Sequence, residues 1–226
     1  MKRGIIFLAG EFLSLPEDFR ISSNDVIIAA DGGYEHTTRL GIHPHLLIGD
    51  FDSLPEAMHN QATLQGIPIK TWPKDKDQTD GEIAIRAAAD LGCTHLILFG
   101  AWGGDRLDHS VGNLTLLETC HQLGIEATIH HKGDNVIFCI PGRYVLSGMA
   151  RNMVSLIPIT PKVTKVYVSG LRYALNYETL MYGTTRGMSN EFTESKAIIT
   201  FETGKLWLIW QGKPTDLLGY MNDVCH

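Results

Sequence analysis

Apolar residues fall along the first part of the chain in short unbroken runs. Gly4–Ala9, Val26–Ala30, Leu46–Ile48, Ile67–Trp72 and His95–Phe99 are rich in Ile, Leu and Val and lack period-two alternation. Strands covered on both faces of a parallel sheet read in this way. Between the runs, amphipathic segments predict helices over Leu54–Leu64, Asp80–Leu91 and about His109–Leu123. The first opens on Ser53-Leu54-Pro55-Glu56 and the second on Thr79-Asp80-Gly81-Glu82, both capping-box patterns. In the second helix Ile83, Ala84, Ala87 and Leu91 share one face, and the third stops at Gly124. Alternating βα units predict an α/β domain with a mostly parallel, doubly wound sheet.

The rhythm changes after residue 125. Ile125–His130, Val136–Ile140, Tyr144–Leu146, Met153–Ile157, Val163–Val168, Lys196–Phe201 and Leu206–Trp210 read as strands. Pro141-Gly142, Pro158, Pro161, Gly170, Gly183 and Gly204 leave no helix-length window among them. The pattern predicts a C-terminal antiparallel β-sandwich or barrel, with Glu202-Thr203-Gly204-Lys205 as a hairpin turn. A boundary near Lys132–Asp134 gives two expected domains, 1–132 and 133–226. No internal repeat or low-complexity segment occurs.

Charge sharpens this division. The 226 residues carry a net charge of −6, which speaks against a dedicated duplex-DNA binder. Residues 1–132 hold 10 basic and 18 acidic residues, and 133–226 hold 9 and 7. All of the acid excess lies in the first part, with 11 of the 14 aspartates. At 44% apolar and 19% charged residues the chain is globular, and its size gives a core that needs no disulfide or structural metal. Cys93, Cys120, Cys139 and Cys225 form no CxxC pair and are expected to be reduced. Lys2-Arg3 precedes an apolar run that Glu11 soon ends, so a first strand fits better than a signal peptide. No apolar stretch approaches the ~20 residues of a membrane span. A cytoplasmic protein with neither nucleic acid nor membrane as partner is expected.

The polar clusters follow the strands. Val26–Ala30 runs into Asp31-Gly32-Gly33, and Leu46–Ile48 into Gly49-Asp50-Phe51-Asp52-Ser53. Ile67–Trp72 leads to Lys74-Asp75-Lys76-Asp77-Gln78-Thr79-Asp80, and His95–Phe99 to Gly100-Ala101-Trp102-Gly103-Gly104-Asp105-Arg106-Leu107-Asp108-His109. Ligands of open α/β sheets bind outside the carboxyl ends of the strands. One such loop is ordinarily a turn or a helix cap; four in register point to a site. Glycines admit a phosphate chain close to the backbone, and helix N-termini offer free N–H groups. Bare aspartates repel phosphate by about 4 kcal/mol at ~4 Å in a medium of effective dielectric 20. Mg²⁺, which takes one or two carboxylates with phosphates and water, reverses that sign. The rim therefore fits an Mg-nucleotide, with Arg106, Lys74 and Lys76 to balance charge. Neither GxxxxGK[ST] nor a strand-linked GxGxxG is present, so the phosphates are held by some other device.

Ala30-Asp31-Gly32-Gly33, Gly49-Asp50-Phe51-Asp52-Ser53, Asp77-Gln78-Thr79-Asp80 and Gly103-Gly104-Asp105-Arg106-Leu107-Asp108-His109 together resemble the thiamin pyrophosphokinase family in order and spacing. Ser155-Leu156-Ile157-Pro158, Val168-Ser169-Gly170-Leu171-Arg172-Tyr173 and Gly187-Met188-Ser189-Asn190-Glu191 resemble that family's β-domain motifs, so the likeness spans essentially the whole chain. One departure is Asp105, which stands between the glycine pair and Arg106 where the family's arginine usually follows directly.

The resemblance implies transfer of a pyrophosphoryl group from ATP to the hydroxyethyl oxygen of thiamin, releasing AMP. It implies a homodimer with each active site between the α/β domain of one subunit and the β-domain of the other. Asp31, Asp50, Asp52 and Asp80 fall on the family's magnesium and ATP cluster, and Arg106 is the implied cationic stabiliser of attack on the β-phosphorus. Gly32, Gly33, Asp77, Thr79, Gly103 and Gly104 lie on the nucleotide motifs, and Asp108 and His109 near the substrate. Ser189 and Asn190 fall on the stretch that reads the aminopyrimidine. Asp50, Asp52 and Asp80 all stand as acceptors for the hydroxyl proton, since a metal-bound carboxylate is a poor base. Trp207, Trp210 and Tyr182 are open choices for an aromatic face under the thiazolium.

Other readings weigh less. A related pyrophosphokinase acting on another alcohol, such as a hydroxymethylpterin, is disfavoured by the Ser189-Asn190 match. A non-catalytic thiamin or nucleotide sensor would not need four aspartates. His43-x-His45 and His130-His131 lack a third ligand at zinc spacing, and Gly187–Glu191 lacks the second glycine of a nucleophile elbow. Tryptophans are ordinarily core, with Trp102 the exception by its place in a glycine loop.

Overall fold

The computed structural model describes residues 2–49, 60, 62–71 and 77–221, and the chain divides into Met1–Lys132 and Gly133–His226. In the first unit β1 (Arg3–Phe7), β2 (Val26–Ala30), β3 (Leu46–Gly49), β4 (Ile69–Thr71), β5 (His95–Phe99) and β6 (Glu126–His131) pair in the order β6-β5-β1-β2-β3-β4. Every pairing is parallel. All five residues of β2 are buried, and so are Gly4–Phe7 of β1. Burial on both faces is why these strands read as unbroken apolar runs. The chain steps outward from β1 to β4 and then returns to the other side of β1 as β5. The connections that follow β1 and β5 thus leave in opposite directions, which makes the crevice between their carboxyl ends a topological switch point.

Helices α1 (Gly33–Arg39), α2 (Asp80–Asp90) and α3 (Leu107–Gln122) flank the sheet. The sequence pattern does not predict α1, because Gly33-Tyr34-Glu35-His36-Thr37-Thr38-Arg39 is too short to show a helical period. Residues 62–64 are helical, whereas the predicted start of that helix, with its Ser53–Glu56 box, lies outside the described residues. Only half of the second capping box forms. Thr79 Oγ1 accepts the Glu82 N–H at 3.2 Å, but the Glu82 carboxylate is taken by Gln78 Nε2 and the Arg86 guanidinium. The buried face of α2 also differs from expectation: Ile85 and Ala88 are fully buried and Leu91 is exposed.

The second unit alternates, as a one-sided sheet must. Strands β7 (Asp134–Cys139), β9 (Met153–Pro158), β12 (Asn190–Glu191) and β14 (Leu206–Gln211) pair in the order β12-β9-β14-β7. A second, five-stranded sheet runs β11-β10-β13-β8-β15, from β8 (Gly142–Ser147), β10 (Lys162–Ser169), β11 (Leu175–Met181), β13 (Lys196–Phe201) and β15 (Leu217–Met221). Among the described residues the strands of this unit pair antiparallel. One core joins residues of both sheets, with Leu156, Leu208 and Trp210 from the first and Val166, Ile199 and Phe201 from the second. Trp210 is fully buried there and donates from Nε1 to Lys213 O, a core role that removes it as a platform for thiazolium. The predicted hairpin at Glu202–Lys205 is corrected. β13 pairs with β8 and β10, whereas β14 pairs with β7 and β9, so the turn carries the chain from one sheet to the other. Turn residues signal a reversal; they do not say which sheet receives the next strand.

Arg3 and Asp25 tie β1 to the segment before β2. Arg3 Nε donates to Asp25 Oδ1 at 2.9 Å, and the Ser22 N–H donates to Oδ2 at 2.7 Å. Burial alone would raise the Asp25 pKa, but the Arg3 and Ser22 hydrogen bonds and the Arg3 charge outweigh it and hold the carboxyl below its usual range. A lowered folded-state pKa contributes stability that is fully present above the unfolded value and is lost as pH falls through the folded one. Asp25→Asn is therefore expected to cost about 2 kcal/mol at neutral pH, with the deficit closing below about pH 4. Urea unfolding of both proteins at the two pH values checks this; an equal deficit at acid pH contradicts it.

Among the described residues no helix is long and apolar enough to cross a membrane. Cys93, Cys120 and Cys139 are buried and unbridged; Cys225 lies outside the described residues.

Candidate functional site

Beyond Phe7 and Phe99 the two central strands stay joined. Leu8 N–H donates to Phe99 O at 2.9 Å, Gly10 N–H to Gly100 O at 2.7 Å and Glu11 N–H to Trp102 O at 2.9 Å. Above this floor, at the switch point, lies a cavity of about 310 Å³. Asp31 reaches it from the end of β2, Thr79, Asp80 and Gly81 from the start of α2, and Gly103, Gly104, Arg106 and His109 from the loop and helix after β5. With Leu8–Gly10 in the floor, four chain segments far apart in sequence line the cavity.

Local chemistry explains each placement. Asp31 holds a left-handed backbone, φ +48°, that aspartate tolerates better than most residues, and its N–H is fixed to Ile48 O at 2.7 Å. Gly103 and Gly104 take φ of +81° and +84°. The first turns of α3 brace that loop, because Ser110 Oγ accepts the Gly103 N–H at 3.0 Å and Asn113 Nδ2 donates to Ala101 O at 2.8 Å. Helices α2 and α3 both begin at the cavity, and helix starts present unpaired N–H groups and partial positive charge. This suits an anion.

Arg106 is held by Asp108 through two bonds, Nε to Oδ1 at 2.9 Å and Nη2 to Oδ2 at 2.7 Å. The hydrogen bond, with the charge, raises the Arg106 pKa and holds the Asp108 carboxyl far below its usual range. Both side chains are largely exposed. The pairing uses the Nε–Nη2 edge of the guanidinium and leaves Nη1 out of the pair.

Of the other sequence-predicted residues, Gly32 and Gly33 start α1 behind the wall and do not line the cavity. A Cβ on Gly33 would lie 2.0 Å from Phe7 O, so that helix start rests directly on the β1 backbone. Asp77 is exposed and outside the cavity. Asp50, Asp52, Lys74 and Lys76 lie outside the described residues. Trp102 is a bend residue that does not line the cavity. The sequence pattern missed Leu8, Ala9 and Gly10, which follow β1 and line the cavity floor, and also Ser110 and Asn113. The strand-end rule that found the other loops applies equally to β1 and would have found Gly10.

Among the described residues no group of three metal-ligating side chains comes together. Besides Asp105, the cavity is lined by a pair of carboxylates from separate segments, Asp31 and Asp80. That hard-oxygen pair fits Mg²⁺, which needs only one or two carboxylates when phosphate and water complete its shell.

The second unit has its own cavity, about 200 Å³, lined by Leu156, Tyr173, Leu175, Arg186, Met188 and Asn190 among others. Asn190 is buried, with Oδ1 accepting the Tyr173 N–H at 2.9 Å and Nδ2 donating to Tyr173 O at 2.8 Å. Ser189 has φ +56°, and its N–H donates to Ser155 Oγ at 3.0 Å. Tyr182 is exposed and Trp207 half-buried.

Comparison with known proteins gives two family matches in chain order. The thiamin pyrophosphokinase catalytic domain matches residues 20–129, and the thiamin pyrophosphokinase vitamin B1 binding domain matches residues 144–206. A thiamine pyrophosphokinase of Bacillus subtilis is 28% identical over 183 residues, which is 80% of this chain and 85% of that protein. The crystal structure of thiamin pyrophosphokinase from Geobacillus thermodenitrificans superposes with a TM-score of 0.80 at 31% identity, covering 96% of this chain and all of that one. That of the Bacillus subtilis protein gives a TM-score of 0.80 at 25% identity, covering 94% and 100%.

Proposed function

Because this chain belongs to the thiamin pyrophosphokinase family, we infer that it moves the pyrophosphoryl group of ATP onto the hydroxyethyl oxygen of thiamin, giving thiamin diphosphate and AMP. One convergence supports this most: glycines, three carboxylates and an arginine from separate segments line one cavity at the switch point of the sheet. Gly103, Gly104 and the start of α2, with Thr79, receive the polyphosphate; Gly32 and Gly33 act from behind the wall, by seating the start of α1 next to Asp31. Asp31 and Asp80, with Asp50 and Asp52, hold Mg²⁺, which when bound offsets the charge of the phosphates.

The thiamin hydroxyl oxygen attacks the β-phosphorus while the bond from that phosphorus to the oxygen shared with the α-phosphate breaks. AMP leaves with that oxygen, and the hydroxyl proton passes to Asp50, Asp52 or Asp80. Arg106 meets the charge that builds on the phosphoryl oxygens. Asp108 and His109 bound the thiamin side. In the second unit the segment carrying Ser189 and Asn190 takes the aminopyrimidine, with Asn190 setting the path of Tyr173. The protein works in the cytoplasm as a homodimer, the β-unit of one copy serving the nucleotide cavity of another.

Incubation with Mg-ATP and thiamin should release AMP and thiamin diphosphate in equal amounts, resolved by chromatography, and a hydroxymethylpterin in place of thiamin should release none. Background AMP from protein shown to bind ATP would sink the reading.

A further inference from the structure

We propose that His36 is a positioning residue for nucleotide binding: its imidazole holds the Gly10 carbonyl and so fixes the peptide plane that floors the phosphate cavity. This inference rests on the nucleotide reading of that cavity. His36 lies on α1 and its Nε2 is 2.9 Å from Gly10 O. A carbonyl only accepts, so Nε2 carries a proton. The ring also packs 5.2 Å from that of Phe12, which belongs to the aromatic cluster of Phe7 and Phe99 beneath the strand ends.

The bond matters because of which peptide it holds. The Gly10 carbonyl and the Glu11 N–H are two ends of the same peptide unit. His36 fixes the first, and Trp102 O accepts from the second at 2.9 Å. Gly10 has no side chain to restrict its own rotation, and none would fit, since a Cβ there would lie 2.4 Å from Gly100 O. The restraint must come from outside. Next along, Glu11 is anchored by Lys132 Nζ at 2.7 Å and lies against Gly103, where a Cβ would come within 2.8 Å of Glu11 Cβ. One segment thus floors the cavity and backs the glycine pair. A Gly10 carbonyl released from His36 can turn its negative end toward the phosphates, which weakens their binding. Burial, the largest influence on His36, lowers its pKa and keeps the ring neutral, consistent with a single donating nitrogen.

The test uses two variants in the full chain and reads the dissociation constant of Mg-ATP, which does not depend on turnover. His36→Phe keeps an aromatic ring against Phe12 and deletes the donor; His36→Gln keeps a donor at the same reach. His36→Phe should bind Mg-ATP about three- to tenfold more weakly, the scale of one hydrogen bond, with the thiamin KM as in the parent and the thermal midpoint lowered by no more than a few degrees. His36→Gln should restore parental ATP binding. Parental ATP binding by His36→Phe overturns the proposal, as does His36→Gln failing equally, which would assign the effect to packing.

A further check needs no variant. Long-range ¹H–¹⁵N spectra of the parent should show His36 as the Nε2–H tautomer, with signals displaced by Mg-ATP but not by thiamin. An Nδ1–H tautomer, or signals blind to ATP, overturns it too. Failure of the functional reading looks different: no AMP forms, while ATP binding and its dependence on His36 persist.

Discussion

Arg106→Ala is expected to lower kcat for pyrophosphoryl transfer by about 10²- to 10³-fold, with a much smaller change in the KM for ATP. Charge on the phosphoryl oxygens is greatest in the transition state, so a group that meets it there acts on kcat rather than on ground-state binding. The side chain is mostly exposed and its only ion pair among the described residues is with a neighbour two residues away, so folding should not change. Arg106→Lys should recover only a small part of the rate. An ammonium cannot be held by Asp108 along one edge and still present a second edge to phosphate, as a guanidinium can. Asp108→Asn should fall between the two, because the fork loses its alignment but not its charge. Steady-state kinetics with saturating thiamin decides the matter. An Arg106→Ala variant within a few-fold of the parent would remove the residue from the transition state. It would also imply that Asp105, which displaces the arginine by one residue from its usual place after the glycine pair, has changed its role.

The fold was legible where burial imposes a pattern. β1, β2 and β5 read as unbroken apolar runs because both faces are covered, and β7, β8 and β13 alternate because one face is. Legibility failed where structure depends on long-range partners. Helix α1 has seven residues and begins on Gly33, whose lack of a side chain serves packing against Phe7, not helix propensity. Strands β11 and β15 carry mixed polar and apolar residues at sheet edges, and the turn at Glu202–Lys205 gave no sign that its strands part company.

The site divides along the same line. Loops that announce themselves by aspartate and paired glycine were found from composition and position. Gly10 and His36 were not, because one glycine and one histidine acquire meaning only when a helix and a strand end meet. Asn190 was legible by type, yet its amide is bound to the Tyr173 backbone on both atoms, which no spacing rule foretells.

Asp80→Asn should cost about 10³-fold in kcat/KM at a fixed low Mg²⁺ concentration. The change is isosteric and leaves the helix start intact: Thr79 still caps Glu82, and Asp80 places a negative charge in the first turn of α2. Losing that charge weakens a helix by about 0.3–1 kcal/mol, which is small beside the stability of a domain. A neutral amide, by contrast, is a far poorer ligand for a hard divalent cation and leaves the polyphosphate with less to offset its charge. The two consequences separate experimentally. Thermal unfolding of the variant should stay close to the parent, while the Mg²⁺ concentration that gives half-maximal rate rises and part of the lost activity returns at high Mg²⁺. Asp31→Asn should behave in the same direction, since asparagine also tolerates the left-handed backbone that Asp31 adopts at φ +48°. If Asp80→Asn loses rate without any change in Mg²⁺ dependence, the carboxylate acts on the hydroxyl proton and not on the metal. If it keeps full rate, the acid-rich rim of the first 132 residues has another purpose.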